Sequence, residues 1–90
     1  MNTKQWLTKL KKQGINDAQI AEMEPNFKPG EHTHEQHTIH VILKGELTIT
    51  DKSGKKTYKQ GDYVEFPAGT KHSVQFGPKG CTMIVGVKDI

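Results

Sequence analysis

His32 and His34 stand two residues apart, His37 and His40 follow closely, and His72 lies far downstream, just past Pro67-Ala68-Gly69. Side chains along a strand repeat every second residue, so His32 and His34 on one strand share a face and can reach one metal ion together. His72 can complete the set from a distant strand. The pattern points to a mononuclear metal pocket inside a small β-barrel. His40 shares the parity of Thr38 and Ile42, whereas His37 has the opposite parity and reads as a surface residue.

The elements that must position these residues are mostly short strands. The chain first offers one helix: Asn2 is placed to cap it, Gln5 stands three residues on, and Gly14 ends it. Trp6, Leu7 and Leu10 share one face of that helix, and Lys4, Lys9, Lys11 and Lys12 lie mostly on its wet side. Its expected place is an open end or the outer face of the barrel.

Beyond Gly14 the spacing predicts strands at Gln19–Glu24, Lys28–His34, Thr38–Leu43, Glu46–Thr50, Lys55–Lys59, Tyr63–Phe66, His72–Phe76 and Cys81–Val87. Turn signals separate them, among them Lys44-Gly45 and Gly77-Pro78-Lys79-Gly80. Even spacing of this kind predicts an all-β antiparallel sandwich or barrel with no second domain. Residues 1–14 form its helix and residues 15–90 its barrel. Ile39, Val41 and Leu43 make one wholly apolar strand face, which needs cover from the helix, a second sheet or another subunit.

Composition bounds the rest. Ninety residues make one domain with a modest core, and only 32% of them are hydrophobic. No apolar run approaches the roughly 20 residues of a membrane span, and no signal-peptide pattern opens the chain. With a single cysteine, Cys81, the expected location is the cytoplasm. The formal charge is +3, but all 13 basic residues are lysines. Without the planar guanidinium, and with lysines scattered along the chain, solvated surface charge is expected rather than a nucleic-acid interface.

These residues resemble the cupin superfamily, whose members are small jelly-roll barrels with a metal site in the mouth. The first cupin motif runs Gly, five residues, His-x-His, three or four residues, Glu, six residues, Gly. His32-Thr33-His34 and Gly45 stand at its positions. The second runs Gly, five residues, Pro-x-Gly, two residues, His, three residues, Asn; Gly61, Pro67, Gly69 and His72 match it without a gap. Three positions depart from the pattern. Asn26 replaces the leading glycine, a mild change because Asn tolerates positive φ. Phe76 replaces the final Asn and makes that pocket face more apolar. Thr38 replaces the acidic ligand.

The resemblance implies an antiparallel jelly-roll β-barrel with one divalent ion on His32, His34 and His72. A threonine hydroxyl is a poor ligand for such an ion, so three imidazoles and open positions are expected. Imidazole suits Zn, Ni and Fe and moves the preference away from Mn. A site of charge near +2 favours an anionic or enolisable small molecule. His40 is the candidate acid or base, or a fourth ligand if its strand bulges. Three functions are open: a metal-dependent enzyme acting on a small molecule, a non-catalytic binding or sensing module, and a structural barrel whose main role is association. A homodimer is also expected, from the low apolar content and the face of Ile39, Val41 and Leu43, with Cys81–Val87 as a candidate contact.

Overall fold

The computed structural model describes residues 2–15, 17–28, 30–33 and 35–88, with residues 30–33 described by their backbone. The helix α1 spans Thr3–Lys12. Its N-terminus is a full capping box: Asn2 Oδ1 accepts the Gln5 N–H at 2.8 Å, and Gln5 Oε1 accepts the Asn2 N–H at 2.9 Å. Its C-terminus is a Schellman motif. Gly14, at φ 89°, donates its N–H to the Lys11 carbonyl, and the Ile15 N–H reaches back to Leu10. Leu10 and Ile15 also pack together, which is the hydrophobic contact such caps carry.

Among the described residues six strands follow: β1 (Gln19–Met23), β2 (Gly30–Thr33), β3 (Thr38–Asp51), β4 (Gly54–Lys59), β5 (Tyr63–Phe66) and β6 (Lys71–Val87). All pairings are antiparallel, in the order β1-β6-β3-β4, with β2 also on β6 and β5 also on β3. The sheet curls around a core but does not close on itself.

Two expected turns are not strand ends. Lys44-Gly45 lies within β3, and residues 77–80 lie within β6. The β3–β6 ladder shifts register there, between Ile42 and Lys44 and again between Gly45 and Leu47. The glycines mark β-bulges, which bend a strand without reversing it. At Gly45, φ is 79° and a Cβ would run into the Gly80 carbonyl oxygen, so only glycine lets the two strands meet.

The bulges also swap which parity faces in. Before them Ile42 points to the inner core; after them Leu47 and Ile49 do, joined there by Phe66, Phe76, Cys81 and Met83. A second cluster lies on the outer face, where Trp6 and Leu10 of α1 cover Ile39, Val41 and Ile84. Ile39 and Val41 are 1% and 0% exposed, so the helix supplies the cover that this strand face required.

Candidate metal centre

The β5–β6 turn builds one side of the site. Thr70 donates its N–H to the Pro67 carbonyl at 3.2 Å, and Gly69 takes φ 82°, a conformation that glycine adopts without strain. The turn returns the chain so that His72 lies on the ring of Phe66, with centroids 4.1 Å apart and planes 16° from parallel. His72 is 1% exposed. The Pro-x-Gly-x-x-His spacing is therefore a turn specification that delivers an imidazole to the interior.

The neighbouring strand supplies the other side. Backbone register sets His32 of β2 directly opposite His72 of β6, and paired residues in an antiparallel ladder have Cα atoms about 4.5–5.5 Å apart. His34 lies outside the described residues. Among the described residues no three His, Cys, Asp or Glu side chains converge as a metal-holding group. Of the expected ligands, then, the structure describes the side chain of His72 and the backbone position of His32.

Thr38 and His40 follow on β3. Thr38 is 8% exposed and pairs across the ladder with Phe66, while His40 pairs with Val64. The Thr38 hydroxyl and His40 Nε2 lie 3.3 Å apart. His40 also meets Phe66 edge-on, at 5.3 Å between centroids and 71° between planes. The parity reading of Thr38, His40 and Ile42 therefore stands. The threonine in the acidic-ligand position directs its hydroxyl to a histidine.

His37 corrects the sequence reading. It is not a surface residue: its side chain is 12% exposed, and Nε2 lies 3.0 Å from Glu65 Oε2. Its carbonyl accepts the Lys88 N–H at 2.9 Å, which ties the strand β6 exit to the start of β3. No periodicity relates residues 28 positions apart, so the pairing had no signal in the sequence. Phe66 was also overlooked as a site residue, although its place just before Pro67 marks it.

The motif glycines behave as turn chemistry requires. Gly45, Gly61 and Gly69 have φ of 79°, 90° and 82°, and Asn26 in the leading glycine's place has φ 59°. Phe76 is 3% exposed and stacks on Phe27, so the missing Asn is replaced by apolar packing. Burial also pushes the Cys81 thiol up to about 11. A groove of about 480 Å³ runs past Lys28, Thr48, Thr50, Ser73 and Gln75. Thr48, Thr50, Ser73 and Gln75 have the opposite parity to Leu47, Ile49 and His72, whereas Val74, which also lines the groove, shares the parity of His72.

Residues 19–85 match the family described as Cupin domain, and the chain belongs to that family. No curated protein matches the chain. Solved structures share its fold. A protein of unknown function from Rhizobium leguminosarum aligns with TM-score 0.75 and 15% identity over 81% of this chain and 69% of its own. A cupin-2 domain containing protein from Shewanella frigidimarina gives 0.66 and 20%, over 83% and 74%. The DMSP lyase DddQ from Ruegeria pomeroyi gives 0.71 and 22%, over 80% of this chain but only 37% of the lyase.

Proposed function

We propose that this cupin holds one divalent ion, Zn, Ni or Fe, on His32, His34 and His72, and acts as an enzyme on a small anionic or enolisable molecule. The observation that carries this reading is the buried His72 imidazole directly opposite His32 in the β2–β6 ladder. Imidazole nitrogen is a suitable donor for these ions. When bound, such an ion polarises a carbonyl or lowers the pKa of a bound water.

The protein's own contribution is proton handling and shape. The Thr38 hydroxyl can accept a hydrogen bond from a protonated His40 Nε2 and donate one to a bare Nε2. His40 therefore keeps its partner in either protonation state, which suits an acid–base residue. Phe66 and Val64 lie beside it and make that side of the site apolar.

The rival reading is a non-catalytic binding or sensing module. It is favoured by the connections between elements, of two to six residues, none long enough for a lid. The deciding experiment is elemental analysis of protein purified without a histidine tag or metal column, followed by turnover and dioxygen-uptake assays of the loaded protein. Stoichiometric metal that disappears in His72→Ala and His34→Ala supports the centre; metal-free wild type rejects it. Tight ligand binding without turnover selects the module over the enzyme.

A further inference from the structure

Phe66 is 6% exposed and belongs to the inner core, yet two imidazoles rest on its one ring. His72 lies parallel to it at 4.1 Å and His40 meets it at 71° and 5.3 Å. An apolar residue of similar volume would fill the same space, but only a flat ring sets the plane of a neighbouring imidazole. We infer that Phe66 is a positioning residue of the site, fixing the direction of the His72 nitrogens before any ion arrives. This rests on the metal reading proposed above.

The physical reason lies in the histidine side chain. Its terminal torsion is broad, with no sharp staggered wells, so burial alone leaves the ring direction loosely set. A parallel stack confines that rotation, because turning His72 out of plane would push its edge into the Phe66 face. The two residues flank the Pro67–Thr70 turn, closed by its Thr70 to Pro67 hydrogen bond, so ring and imidazole are held as a unit. The edge contact, together with the Thr38 hydroxyl, orients His40 from the same ring. The same side chain thereby contributes to the geometry of both a ligand and the acid–base residue.

Two measurements test this. In metal-free wild type, the His72 ring protons should resonate upfield under the Phe66 ring current, and Phe66→Leu should return them toward ordinary values. Zn2+ competition with a chromophoric chelator, run well below the unfolding midpoint, should show Phe66→Leu weakened by roughly 10- to 100-fold, the usual effect of losing a residue that orients a ligand. Phe66→Tyr, which keeps the ring, should bind Zn2+ as wild type does. A merely structural role would lower the melting temperature of Phe66→Leu and leave the affinity of the folded protein unchanged; that result overturns the inference. Absence of an upfield displacement at His72 in wild type overturns it as well. Wild type that binds no Zn2+ defeats the metal centre itself, and the proton shifts then decide whether Phe66 holds His72.

Discussion

Cys81 shows how burial alone sets chemistry at a single residue. It is 4% exposed, and its thiol is raised to about 11 by desolvation of the thiolate. The folded protein should therefore resist iodoacetamide at pH 8 and be labelled fully once unfolded; native labelling at the unfolded rate would contradict the burial. The linkage has a definite sign. The unfolded thiol loses its proton near 9.0 and the folded one near 11, so this residue's contribution to stability falls as pH rises across that window. His37 offers a second case. Its partner Glu65 remains a third exposed, so His37→Ala should cost on the order of 1 kcal/mol in denaturant melts. Metal stoichiometry should survive that change, because His37 has the opposite parity to the Thr38 and His40 face. Thr38→Glu makes the complementary prediction: a carboxylate in the ligand position should shift metal preference toward Mn or Fe, read by competition between ions. Unchanged selectivity would remove Thr38 from the site.

The elements carry their own test in the paired bulges. Gly45→Ala forces a side chain against the Gly80 carbonyl at positive φ, and should cost about 3 kcal/mol or more. Gly14→Ala, at a similar φ but with open space around it, should cost only about 1–2 kcal/mol. Equal losses in thermal melts would show that the β3–β6 approach is not tight. Trp6→Ala, which strips the helix from the outer cluster, should cost about 3–5 kcal/mol. The same elements show what could be read in advance. The capped helix, the alternation in β3 and the Pro67–Gly69 turn are local, and local chemistry is written in neighbouring residues. Lys44-Gly45 and residues 77–80 were legible as interruptions but not as bulges. A glycine that ends a strand and one that kinks it look alike until the facing strand is known. The His37–Glu65 pair and the edge contact of His40 on Phe66 depend on distant register, which no short-range pattern encodes.

At the scale of the whole molecule, the helix removes one reason for a homodimer, because Ile39 and Val41 are already covered within the chain. Cys81–Val87 is no free edge either: residues 81–85 run between β1 and β3, and Gly86 and Val87 pair with β3. The dimer expectation now rests on β1, at the end of the sheet path with Ile20 54% exposed. Light scattering at micromolar concentration should give about twice the 10.1 kDa of one chain; a mass near 10 kDa rejects it. The long β3–β6 ladder has a further effect, on the birth of the protein. It joins Thr50 to Ser73 and Thr38 to Val87, so β3 leaves the ribosome 23 to 49 residues ahead of its main partner. At ordinary synthesis rates that delay is roughly 1–10 s, during which β3 lacks its main partner. The helix is translated earlier and covers Ile39 and Val41 in the folded protein, so it is expected to shield them in the nascent strand as well. Cell-free synthesis of a chain lacking residues 2–14 should leave more newly made protein in the pellet than the full chain does, and equal pelleting would deny the helix that duty.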